Sequence, residues 1–172
     1  MGGSLGARTL NRSFMGGMDK LNREELVVLW QCGKLYHKEV EEKVRAGALK
    51  NIRLVPFISR MDLAYGMADI IVSRAGAITI SELCIVGKPA ILVPSPNVAE
   101  DHQTHNAEAL VSGSAALMVR DADAEKQLVD RMLRLMENRA EQELLSKNIK
   151  QLGIPDASQR IAAEAELILA EQ

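Results

Sequence analysis

The stretch SRAGAITISEL, residues 73–83, follows the apolar run ADIIV and leaves it through a glycine flanked by alanines. Small residues at a strand-to-helix junction let a ligand come close to the backbone, and the unpaired N–H groups of a helix start favour an anion. The amides of Ala77, Ile78 and Thr79 fall in the first turn of the expected helix, where the dipole favours a negative group by ~0.3–1 kcal/mol. Glu82 stands three residues beyond Thr79, on the same helix face. A carboxylate repels a bare diphosphate, whereas it accepts hydrogen bonds from a neutral diol such as ribose. Spacing alone leaves that role open beside the role of a solvated helix carboxylate.

Three further stretches carry candidate chemistry. GGSLGAR (2–8) is a glycine-rich turn in which the Ser4 hydroxyl could donate to a phosphate oxygen; it is not a GxGxxG match and is equally a tight turn. PSPNVAEDHQTHNAEAL (94–110) is a proline-bearing loop entering a helix, with Gln103, Thr104 and Asn106 among the side chains that could read hydroxyl groups. His102 and His105 in the same stretch have no evident third partner, so a capped helix start is favoured over a metal site, and no metal is expected. PFISRM (56–61) offers Phe57 and Ile58, an apolar wall suited to a planar base or, taken alone, ordinary core.

Elements that could position these residues are visible along the chain. Apolar, β-branched runs at 25–32, 51–57, 68–73, 89–94 and 115–119 alternate with helical patterns, the signature of a parallel α/β sheet. In YHKEVEEKVRAG, Val40 and Val44 are one turn apart and Gly47 is a stop signal. After Arg120 the pattern is helical, with Leu128, Met132, Leu135 and Met136 on one face and a last helix after Pro155. A glycine turn normally leaves the end of a strand, yet no strand precedes GGSLGAR; the chain therefore reads as a fragment lacking its first strand. A sheet short of a central strand exposes an edge, which predicts self-association.

With 172 residues, one domain with a real core is expected. Apolar residues at 47% and charged residues at 26% exclude both a disordered chain and a disulfide scaffold. A net charge of −2 with mixed signs supplies no basic stripe for nucleic acid. Cys32 and Cys84 sit in separate apolar stretches, as buried small hydrophobes in a reducing, cytoplasmic compartment. No apolar run approaches the ~20 residues of a membrane span, and MGGSLGARTL is unlike a signal peptide.

Taken together, GGSLGAR, PFISRMDLAYGMADIIVSRAGAITISEL, GKPAILVPSPNVAEDHQTHNA and IPDASQRIA resemble the C-terminal half of the MurG family, bacterial N-acetylglucosaminyltransferases of peptidoglycan synthesis. The resemblance implies a Rossmann-like parallel sheet flanked by helices, one half of a GT-B-type inverting glycosyltransferase. It makes residues 1–172 the domain that binds the donor, UDP-N-acetylglucosamine, without a cofactor. By the same resemblance, Ile58 beside Phe57 meets uracil through its backbone and Glu82 takes the ribose hydroxyls. Ser4 and the helix start at Ala77–Thr79 hold the diphosphate; Gln103, with Thr104 or Asn106, reads the sugar. Some relatives carry a second glutamine where this chain has Thr104. The family's N-terminal domain supplies the lipid I site, the general base and the contact with the cytoplasmic face of the membrane, so the isolated chain is expected to transfer nothing. Two rival readings are a UDP-N-acetylglucosamine 2-epimerase and a non-catalytic assembly module.

Overall fold

The computed structural model describes residues 6–96 and 101–170. Within them the five expected runs each contain a strand: β1 (Val28–Gln31), β2 (Ile52–Val55), β3 (Ile71–Ser73), β4 (Ala90–Leu92) and β5 (Leu117–Met118). All pairings are parallel. Parallel neighbours need a crossover, and helices α3 (His37–Ala46), α5 (Ala77–Val86) and α6 (His102–Ser112) supply one between each paired couple. The strands form two sheets, β1–β2 and β3–β4–β5, rather than one continuous sheet. Among the described residues no strand lies between them.

What joins the sheets is helical packing. Helix α1 (Arg8–Gly16) lies against α7 (Asp121–Glu137), and Leu10 and Phe14 of α1 share a core with Trp30, Leu128 and Met132. Alternation along β4 serves both cores: Ile91 and Val93 enter the one around α1 and α7, while Ala90 and Leu92 enter the one beneath α5 and α6. A strand buried on both faces must be apolar throughout, and all three β4 residues have no exposed surface.

The helix ends follow local chemistry. α5 closes on Gly87 in the left-handed region, φ 67°, whose N–H bonds to Leu83 C=O at 2.9 Å. α3 does end at Gly47, but the left-handed residue is Ala48, φ 51°. The long helical stretch after Arg120 divides at Asn138, whose side chain accepts from the Glu141 N–H at 3.1 Å and so starts α8 (Arg139–Gln151). Leu128, Met132 and Leu135 are buried on α7, with Met136 packed partly against them. The last helix, α9 (Ala157–Ala170), lies fully exposed.

Both cysteines are free and buried, and burial pushes both thiols up from their ordinary range, which suppresses the thiolate. Among the described residues no helix is long and apolar enough to cross a membrane.

Candidate functional site

Parallel strands deliver their carboxyl ends, and the amino ends of the following helices, to one rim. At this rim β3 ends at Ser73 and α5 begins at Ala77, with Gly76 extended between them. The helix ladder opens with Ile80 N–H to Gly76 C=O at 2.9 Å, and among the described residues no side chain caps it. The amides of Ala77, Ile78 and Thr79 therefore precede the ladder, with Ala77 and Ile78 exposed and Thr79 half-buried. Among the described residues, its two chain neighbours apart, a Cβ on Gly76 would meet no atom within 4 Å.

Glu82 is exposed one turn along α5. Its Oε2 accepts a 2.7 Å hydrogen bond from the phenol of Tyr65, a buried residue on α4 (Met61–Met67). Burial first, then the carboxylate as hydrogen-bond partner and as charge, drive the phenol pKa upward, so Tyr65 remains a donor. Glu82 Oε1 has no partner among the described residues.

The third component is α6. Gln103 and Asn106 share a helix face and grip the peptide groups at Ala75: Gln103 Oε1 accepts from Ala75 N–H at 3.3 Å, and Asn106 Nδ2 donates to Ala75 C=O at 3.0 Å. Gln103 Oε1 also accepts from Ser95 N–H at 2.9 Å, which ties the loop after β4 to the loop after β3. Two N–H donors converging on one atom identify it as the carbonyl oxygen, leaving the Nε2 donors for a ligand. Thr104 donates instead to Asp101 Oδ1 at 2.6 Å. Asp101 precedes α6 with φ 53° and its side chain caps no backbone amide, so the expected side-chain cap at this helix start is replaced by a side-chain pair.

A fourth contact set braces the rim from below. Arg74 Nη1 donates to Val93 C=O at 3.0 Å, to Pro94 C=O at 3.1 Å and to the Asp121 carboxylate, which also accepts from the Thr9 hydroxyl at 2.9 Å. Both charged side chains are about one-fifth exposed, and the guanidinium, with its charge already paired, serves the loops rather than an anion. Thr9 belongs to α1, and the segment before that helix runs close to β1. Gly6 has φ 81°, and a Cβ there would stand 2.1 Å from Cys32 C=O, so only glycine fits. Ser4 lies outside the described residues.

Phe57, just over half exposed, and Ile58, half-buried, follow β2 and so lie at the carboxyl end of the other sheet. The contacts tie Gln103 and Asn106 to the loop that leads into the Ala77–Thr79 helix start, and Glu82 to Tyr65 one turn along the same helix. They do not link these residues to Phe57 and Ile58, or to Thr104. Tyr65, Arg74, Asp121 and Thr9 escape a sequence reading because they act across separations of 17 to 112 residues. Two surface hollows of about 400 Å³ are lined by other residues, one beside Ala48–Lys50 and one beside Lys126–Arg134. Among the described residues no three His, Cys, Asp or Glu side chains converge in a way that could hold a metal ion.

The profile of the glycosyltransferase family 28 C-terminal domain matches residues 1–161. A relative from Cytophaga hutchinsonii, named UDP-N-acetylglucosamine–N-acetylmuramyl-(pentapeptide) pyrophosphoryl-undecaprenol N-acetylglucosamine transferase, is 53% identical over 94% of this chain and 42% of its own length. A Bacteroides fragilis relative with the same name is 48% identical over 100% of this chain and 46% of its own. The chain thus spans less than half of these relatives. The crystal structure of Acinetobacter baumannii MurG superposes with a TM-score of 0.80 at 31% identity, over 94% of this chain and 46% of that one. A structure described as a UDP-N-acetylglucosamine 2-epimerase of Listeria monocytogenes reaches 0.70 over 96% of this chain and 42% of that one; at 14% identity it shows a shared fold alone.

Proposed function

The chain belongs to the glycosyltransferase family 28 C-terminal domain family, and from that premise we propose that residues 1–172 are the donor-binding domain of a peptidoglycan N-acetylglucosaminyltransferase. The donor is UDP-N-acetylglucosamine, and the acceptor is lipid I, bound by the part of the longer protein outside this chain. The observation that carries the reading is the pairing of an uncapped helix start at Ala77 with a carboxylate one turn further on, held by Tyr65 with one oxygen still open. An amide-lined start suits a diphosphate; an acceptor-only carboxylate next to it suits a ribose diol.

In this reading the Ala77–Thr79 amides, with Ser4, stabilise the UDP leaving group as charge develops on it. Gln103 offers its Nε2 donors to the sugar, with Asn106 or Thr104 beside it, and Phe57 and Ile58 flank the uracil. The acceptor hydroxyl loses its proton to a base in the other domain, which also docks on the cytoplasmic face of the membrane. This chain's task is binding and orientation. Calorimetric titration of UDP-N-acetylglucosamine against the chain and its Glu82→Ala variant tests the proposal. Loss of the charge-assisted ribose contact should cost ~1.5–3 kcal/mol. Equal affinities, or no binding by the parent chain, would return Glu82 to the role of a solvated surface carboxylate.

A further inference from the structure

Glu82 is an exposed glutamate on a helix, and such a side chain ordinarily samples several rotamers. Freezing one on a ligand costs up to ~1.5–2 kcal/mol of rotamer entropy. Here that freedom is already restricted: the Tyr65 ring is buried, 7% exposed, and its hydroxyl meets Glu82 Oε2 at 2.7 Å. The buried ring fixes the hydroxyl, and the hydroxyl fixes the carboxylate.

We infer that Tyr65 is a positioning residue that reads ribose through Glu82, holding Oε2 so that Oε1 and the remaining Oε2 lone pair face a vicinal diol. The inference rests on the donor-binding reading above. Two features favour this role over simple satisfaction of a phenol at the surface. A phenol at the edge of a helix can be satisfied by water, whereas here it reaches across from α4 to α5, 17 residues away, to the carboxylate one turn beyond the helix start. It also leaves an asymmetric carboxylate, one oxygen engaged and one without a partner among the described residues, which is the arrangement a two-hydroxyl ligand completes. Burial and the adjacent carboxylate raise the phenol pKa, so the hydroxyl is a donor at neutral pH.

The test compares UDP with 2′-deoxy-UDP, by calorimetry, on the whole 172-residue chain. Tyr65→Phe removes only the hydroxyl. It should weaken UDP roughly five- to tenfold while changing 2′-deoxy-UDP less than twofold, so that discrimination between the two ligands collapses. In a Glu82→Ala background Tyr65→Phe should have no further effect on either ligand. Tyr65→Met, which removes the phenol and keeps an apolar side chain in the core, should give the same lost discrimination and serves if the phenylalanine variant is unstable. Equal weakening of both ligands by Tyr65→Phe, or the same weakening with and without Glu82, would mark Tyr65 as structural and overturn the inference. A parent chain that binds UDP, loses it on Glu82→Ala and keeps it on Tyr65→Phe overturns this inference alone. A parent chain that does not bind UDP overturns the donor reading and this inference with it.

Discussion

Replacing Gln103 by leucine and by glutamate separates its service to the loops from its service to a ligand. Leucine keeps the volume but leaves two backbone donors behind, the Ser95 amide bonded at 2.9 Å and the Ala75 amide at 3.3 Å. Ala75 is fully buried, so its amide faces the desolvation penalty of ~1–3 kcal/mol; Ser95 is half-buried and regains water, which puts it at the low end of that range. Gln103→Leu should therefore destabilise the fold by about 2–4 kcal/mol. Glutamate still accepts from both amides, and charge-assisted bonds are the stronger kind, so Gln103→Glu should stay within about 1 kcal/mol of the parent. It nevertheless lacks the Nε2 donors and places a negative charge near the helix start proposed to hold the diphosphate. Urea unfolding reads the first quantity as a shift in midpoint at constant slope. Titration of UDP-N-acetylglucosamine reads the second, with an expected loss of about tenfold or more for the glutamate variant, ~1.4 kcal/mol. If the two variants lower the midpoint equally, or if the glutamate variant binds as the parent does, the division of labour assigned to this side chain is wrong.

Two other outcomes follow from the same geometry. Arg74→Met removes the bonds to Val93 and Pro94 and leaves Asp121, among the described residues, with Thr9, so stability should drop by about 2–4 kcal/mol, below the 3–5 of a fully buried pair; a loss under about 0.5 in urea unfolding refutes it. Tyr65 has a folded-state pKa above its unfolded value of about 10, so its contribution is fully present below that pH and is lost as pH rises towards the folded value. Stability of the parent should therefore fall more steeply than that of Tyr65→Phe above about pH 10, and parallel profiles would contradict it.

The strand positions were legible because β-branched runs bounded by turn residues are a local signal, and all five contain a strand in the structure. The helix start at Ala77 was equally local, announced by small residues after an apolar run. The split into two sheets was not legible, since it depends on which strands pair and not on what each strand is made of. Gln103 and Asn106 stood out as hydrogen-bonding side chains, but a helical spacing names a face and not what that face meets. Their partner is the backbone of Ala75, which carries no side-chain signature at all. Tyr65 carries no signal in the sequence because its significance lies in a partner on another helix.

The grip of α6 on Ala75 and Ser95 has a bearing on chimaeras. Because one glutamine anchors both turns through backbone N–H groups, a turn grafted from a homologue keeps its support only where its backbone path presents those N–H groups to the same oxygen. A transplant of residues 73–77, 94–96 and the first two turns of α6 as a block carries that geometry with it, a unit discontinuous in sequence that selection would tend to change together.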